Sequence, residues 1–399
     1  MSQHRPPPAR PESVAAAGPP TERARRWAAT MHSHRSGTVH RAHGDSAADI
    51  EATPPLERTE REALEDLHLA VGATRAVDAG NRALPEAPDP ARTCFERDRD
   101  RILHGTTAFR RLAGKTQVFI FPEDHQRTRL THALEVAQVA TAIARACRLN
   151  VALTEAIALG HDCGHGPGGH ASEDAFSPYV DGGYDHAVWG ADVVLAPLNL
   201  CAETLDGVRN HSWSRPAPAT PEGEAVSWAD RIAYVCHDFE DAAHVGIVSF
   251  DDLPELVRER AGATRRAQLD SFIGAVVDAA TSTGTIGMAE PMAETLAVFR
   301  RFNYDHIYMR PESVAQAKLV IDVLRNLVEH YADLPEPLPL DGIGASTPID
   351  RPPGSPDALH QAVTYVGGMT DRYAFTQAVT LLGWERTRLP MGIDLRELI

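Results

Sequence analysis

The sequence predicts a mainly α-helical protein with a small β-hairpin. Beyond Arg127, Leu130, Leu134, Ala137, Ala140 or Thr141, and Ala144 recur every three or four residues, the spacing of one helix face. A second helix opens at Asn150, a side chain suited to capping, and runs through Ala156 and Leu159 to His161 and Asp162. The only convincing strand-like run in this region is VFIF at 118–121, too little for a parallel sheet.

Residues 1–55 are rich in Pro, Ala, Arg and His with few large apolar side chains, so they read as a flexible tail. A short amphipathic helix is expected from Leu56 to Ala83, followed by a Pro-rich break at Pro85, Pro88 and Pro90, so that 56–91 forms a helix and linker. The main core is assigned to 92–332, with a third helix from Ser227 to about Val245 and further helices over 285–332. A Pro-rich loop at 334–358 and a helical segment around GGMTDRYAFTQA complete that core within 333–399.

The 399 residues carry 39 basic and 55 acidic side chains, a net charge of −16, so the overall field disfavours nucleic acid and anionic membranes. No apolar run is long enough to span a bilayer, and MSQHRPPPARPESVAAAGPP lacks the apolar core of a signal peptide, which places the protein in the cytoplasm. Five scattered cysteines without a C-x-x-C pair suit reduced thiols. The 19 histidines are more informative.

A divalent cation needs neutral imidazoles and carboxylates converging from several directions. His132 on the first helix, His161 and Asp162 ending the second, and Asp230 on the third could supply them if the helices pack side by side. Ser227-x-x-Asp230 also reads as a capping box, which gives Asp230 a rival role. In HDCGHGPGGHASED, three histidines and four glycines fall together, a poor segment for a core.

At this string the chain resembles the HD-superfamily deoxynucleoside triphosphate triphosphohydrolases, the dGTPase-like family. The resemblance runs from about Arg92 to the C-terminus through RDRDRILHGTTAFRRLAGKTQVF, RTRLTHALEVAQVA, EAIALGHDCGHGPGGHASEDAF, GYDH, SWADRIAYVCHDFEDA and GMTDRYA, in that order. It implies the HD-domain helical fold. His132, His161, Asp162 and Asp230 are then metal ligands for Mn, Mg, Fe, Co, Ni or Zn. The chain departs from the family pattern at Cys163, Gly166 and Gly169, which bears on loop rigidity and substrate preference.

The same resemblance makes His170 catalytic and pairs it with Glu173, with His165 and His186 beside the triphosphate. The spacing of His170 and Glu173 places both on one face of a helix, where the carboxylate can orient the imidazole. Residues 92–131 hold eight Arg and one Lys against five acidic groups, which nominates Arg110, Arg111, Lys115, Arg127 and Arg129 for the triphosphate, about half of them in structural ion pairs. Arg129 best matches a phosphate contact of the family, and Arg231 is a further phosphate candidate.

Asp230, Tyr234 and Asp238 share one helix face at intervals of four. By resemblance Tyr234 packs on the deoxyribose and Asp238 accepts from its 3′-hydroxyl. The expected reaction converts a 2′-deoxynucleoside triphosphate, dGTP or several dNTPs, to deoxynucleoside and tripolyphosphate. The rivals are an HD phosphohydrolase acting on a monophosphate, cyclic dinucleotide or alarmone, and a nucleotide sensor without turnover. Family relatives form homo-oligomers, often hexamers, with regulatory nucleotide sites.

Overall fold

A computed structural model describes residues 19–390 apart from 32, 78, 119–125, 336–337 and 339–351. The chain divides into two units, Met1–Pro55 and Leu56–Ile399. In the first, a helix α1 (Glu22–Ala29) precedes an antiparallel hairpin of β1 (His34–Ser36) and β2 (Val39–Arg41), with Arg35 opposite His40. None of its described residues is buried. The segment read as a flexible tail thus holds local secondary structure, kept by caps and turns such as the Thr21 hydroxyl accepting from Ala24 N.

The second unit is helical. It opens with α2 (Arg58–His68), α3 (Cys94–Asp100) and α4 (Thr107–Arg111). The helix expected to reach Ala83 stops at His68, because Arg148 reaches over and donates to the carbonyls of Leu67 and His68 while Leu69 turns extended. Of the strand-like run at 118–121 only Val118 is described; on either side of the run Thr116 and Thr128 form an antiparallel bridge.

Three helices then build the centre: α5 (Arg129–Cys147), α6 (Val151–Gly160), and, after α7 (Ala171–Phe176), α8 (His186–Trp189) and α9 (Ala202–Arg209), the long α10 (Pro221–His244). On α5 the buried stripe is Ala133, Val136, Ala140, Ile143 and Ala144, whereas Leu134 is exposed. Small alanines there let α6 and α10 approach closely. Asn150 caps α6 as expected, its Oδ1 accepting from Leu153 N at 3.2 Å.

The remaining helices are α11 (Glu255–Arg260), α12 (Arg265–Thr283), α13 (Glu290–Asn303), α14 (Pro311–Asp333), α15 (Pro356–Gly367) and α16 (Asp371–Leu382). One apolar core joins α3, α5, α6, α10, α12 and α13 through residues such as Phe95, Ile143, Ile157, Ile232, Phe272 and Phe299. A second joins α7, α14, α15 and α16 through Phe176, Val320, Leu324, Leu327, Val363 and Phe375. The segment from His161 to His170 links the end of α6, in the first core, to α7, in the second.

Candidate active site

The site begins where α5, α6 and α10 meet. Thr128 caps α5 and puts His132 on its first turn, facing α10. Thr220, not Ser227, caps α10: its hydroxyl accepts from Gly223 N at 3.1 Å, and Pro221 occupies the first helical position. Ser227 therefore lies inside the helix. The capping role weighed for Asp230 disappears, and its carboxylate instead lies 3.0 Å from His132 Nε2.

His161 follows the last residue of α6 and hydrogen-bonds through Nδ1 to Ala158 O at 2.6 Å. A carbonyl only accepts, so Nδ1 carries the hydrogen and Nε2 presents a lone pair. That Nε2 has no hydrogen-bond partner among the described residues; it lies 3.5 Å from Asp162 Oδ1 and 3.8 Å from Asp230 Oδ1, and the side chain is 1% exposed. A buried lone pair facing two carboxylates is unfavourable unless a cation lies between them. His132, His161, Asp162 and Asp230 thus fit a divalent metal by their donor set.

Charge in this corner follows from contact. Asp162 is buried, which alone raises its carboxyl, but Arg129, His161 and His165 hold it well below the usual range. Burial opposes Asp230 in the same way, and His132 and His161 hold it low. His132, although burial works against its charge, is raised by Asp230. Arg129 Nη1 donates to Asp162 Oδ2 at 2.7 Å, and its Nε and Nη2 are buried without a partner among the described residues.

The catalytic candidates form a second group next to the first. Glu173 Oε1 lies 2.9 Å from His170 Nδ1 and 2.8 Å from His186 Nδ1. Burial raises Glu173, but the hydrogen bonds from both imidazoles outweigh it and keep the carboxyl well below its ordinary value. His165 stacks on His186 with centroids 3.7 Å apart and comes within 3.2 Å of Asp162 Oδ1, so it bridges the two groups. Burial, then the charges of Arg129 and His186, keep His165 neutral.

Both groups open into one cavity of about 710 Å³ that is also lined by Arg129, Tyr234 and Asp238. Tyr234 Oη accepts from Arg300 Nε at 2.8 Å, and Asp238 Oδ2 accepts from Tyr308 Oη at 2.5 Å. Burial raises Asp238 to about 7 against the pull of Tyr308 and His132. Arg300, Tyr308, Gln117 and His211 also line this cavity and were not singled out from the sequence, where each stands alone outside any spaced pattern. For His211 the one available signal was RNHSW, directly after a helical stretch.

Five of the proposed cationic contacts lie elsewhere. Lys115 is buried and donates through Nζ to the carbonyls of His165 and Gly367, and burial lowers it to about 8. Arg111 donates to Gly368 O at 3.0 Å; with Lys115 it lines a separate cavity of about 260 Å³ behind Cys163 and Gly164. Lys115 thus ties the C-terminal helices to the His161–His170 loop and Arg111 ties them to α4, and neither lines the larger cavity. Arg127 is enclosed by Glu135, Glu240 and Asp241, and Arg231 lies over the Trp213 ring, 3.7 Å from its centroid. Arg110 is exposed on α4.

The glycines of the loop are set by crowding. A Cβ on Gly169, whose φ is +62°, would come 2.8 Å from Arg129 Nη2 and 3.0 Å from Thr116 O. Glycine here leaves room for the Arg129 guanidinium beside the loop.

The chain matches the HD domain family over residues 129–235 and the phosphohydrolase-associated domain over residues 286–379. It is 37% identical over 324 residues to a deoxyguanosinetriphosphate triphosphohydrolase-like protein of Caldanaerobacter subterraneus, covering 79% of this chain and 93% of that one. A protein of the same description from Clostridium perfringens is 38% identical over 305 residues, covering 72% and 86%. A hypothetical protein of known structure from Aquifex aeolicus aligns with a TM-score of 0.45 and 16% identity over 73% of this chain and 69% of that one. With HD-motif side chains gathered at one cavity and relatives of this identity matched over most of their length, the chain belongs to the deoxyguanosinetriphosphate triphosphohydrolase-like family of HD-domain phosphohydrolases.

Proposed function

We propose that the protein hydrolyses a 2′-deoxynucleoside triphosphate, dGTP or several dNTPs, at the bond between the α-phosphorus and the sugar O5′, releasing deoxynucleoside and tripolyphosphate. The observation that carries this reading is the shared cavity: metal donors, a carboxylate-pinned imidazole and sugar-facing groups all open into it. His132, His161, Asp162 and Asp230 would hold the metal. When bound, it supplies Lewis-acid polarisation of a phosphoryl oxygen and activation of water.

The chain's own residues provide the rest. Arg129 is locked by Asp162 and has two buried nitrogens left to meet a phosphate oxygen. His165 and His186 flank the phosphates from the other wall. Glu173 takes the Nδ1–H of His170, which leaves Nε2 to hold the proton that the departing sugar oxygen needs. Tyr234 and Asp238, four residues apart on α10, face the sugar: the phenol ring fills the space of a 2′-hydroxyl and the carboxylate accepts from the 3′-hydroxyl.

The experiment is product analysis. Purified protein with Mn or Mg and each dNTP is expected to give deoxynucleoside and intact tripolyphosphate by mass. Release of pyrophosphate with nucleoside monophosphate, or of orthophosphate alone, would overturn the assignment. A family member's habit of forming homo-oligomers with regulatory nucleotides extends to this chain as a proposal that size measurement with and without dNTP tests.

A further inference from the structure

Two histidines of this site share one local device. His161 follows the end of α6 and His211 lies just past the end of α9, and each turns Nδ1 back onto the carbonyl three residues earlier, Ala158 at 2.6 Å and Val208 at 2.8 Å. Each thereby satisfies a carbonyl of a final helical turn that has no partner within its helix. Because a carbonyl can only accept, both neutral rings must carry hydrogen on Nδ1 and a lone pair on Nε2.

The two lone pairs enter the same space. The rings are 5.0 Å apart at 78°, and His161, Asp162 and His211 each offer one ligand atom with all three within 4.8 Å of one another. His132, His161 and Asp230 satisfy the same condition, with His161 common to both sets. His211 is 2% exposed, and its Nε2 lies at hydrogen-bond distance from His186 Nε2, 3.2 Å away. His186 gives its Nδ1–H to Glu173, and a neutral ring with that hydrogen in place has no Nε2–H left to donate to His211.

We propose that His211 is a further protein donor to the divalent cation held by His132, His161, Asp162 and Asp230, and that it supplies a third imidazole nitrogen. The proposal rests on the metal centre named above. It has a consequence for ion choice: three imidazoles with two carboxylates favour Mn, Fe, Co, Ni or Zn over Mg, which prefers oxygen donors and retained water. A donor backed by a helix-end carbonyl is also held in orientation, as imidazole ligands generally are by a hydrogen bond on the second nitrogen.

The test uses the full chain, stripped of metal and reloaded with Co²⁺. Proton NMR counts the hyperfine-shifted, solvent-exchangeable imidazole N–H signals, one for each histidine bound through a single nitrogen. Wild type is expected to show three and His211→Ala or His211→Gln two, with Co²⁺ affinity falling roughly tenfold or more in either variant. Two signals in wild type, or an equal count in wild type and a folded variant, would overturn the proposal. The wild-type count decides the matter even where a variant fails to fold. No shifted imidazole signal at all in wild type would overturn it by a different route, since the metal centre itself would then be wrong.

Discussion

His170 reaches solvent with 74% of its side chain, while the side chains of His165 and His186 are 0% and 9% exposed. In the proposed reaction this exposure suits His170 to meet the leaving group and then exchange its proton with water. Glu173, ionised at any working pH, fixes its tautomer. His170→Ala is therefore expected to keep metal and dNTP affinity while lowering turnover by ~10²-fold or more, the scale of lost general acid help; steady-state rates beside dNTP binding isotherms check this. Asp238 sets a pH dependence. Its carboxyl is raised to about 7 by burial, so between about pH 4 and about pH 7 the folded chain binds more protons than the unfolded one. Stability from this group is full below that window and falls as pH rises through it. Asp238→Asn is expected to flatten the fall, as read from denaturation midpoints at about pH 5 and about pH 8. At this scale the H…HD…D residues could be nominated through the ordered motifs that carry the family resemblance, since His beside Asp recurs elsewhere in the chain and is weak evidence alone. His211, Arg300 and Tyr308 were not, since each reaches the cavity from a separate element and only packing brings them together.

Among the elements, the loop from His161 to His170 depends on the C-terminal helices. Asp371, at the start of α16, accepts from Thr116 N at 2.8 Å, Thr116 Oγ1 at 2.6 Å and Gly168 N at 2.8 Å, and it is 3% exposed. Lys115 adds the ties to His165 O and Gly367 O. The motif GMTDRYA thus acts through a buttress, a role its spacing alone could not reveal because the partners are more than two hundred residues away. Asp371→Ala strands those donors in a buried place, at roughly 1–3 kcal/mol for each group left unpaired. The expected result is a melting temperature lower by several degrees with a matching loss of turnover, and scanning calorimetry beside activity measures both. Helix ends were less legible than helix existence. The start of α10 was misplaced because Ser227-x-x-Asp230 imitates a cap, whereas the true start, Thr220 followed by Pro221, sits after a polar, Pro-rich stretch without periodicity.

The molecule as a whole divides its chemistry between two cores. The candidate metal donors stand on α5 and α10 and just past the end of α6, all in the first, while Glu173 stands on α7, whose Ala171, Ala175 and Phe176 belong to the second. The composition of residues 1–55 predicted a segment without a core, and no described residue there is buried. A chain beginning at Leu56 is accordingly expected to keep the melting temperature and the metal content of the full chain, which calorimetry and elemental analysis check. No helix of the described residues is long and apolar enough to cross a membrane. The helical class was legible from periodicity, because α5, α6 and α10 each bury a continuous stripe. The existence of two cores was not, because it depends on which stripes face one another.

Gly164 sets a distance that no side chain can adjust. A Cβ there would overlap the carbonyl of His186 and the backbone of Gly190, so two main-chain segments lie in direct contact at that point. The gap between the HD turn and the helix bearing His186 is consequently fixed by peptide thickness, as a spacer is fixed by its own width. Replacement by alanine would wedge these two segments apart, and the His186 ring would lose its registration with the His and Asp side chains of the HD turn.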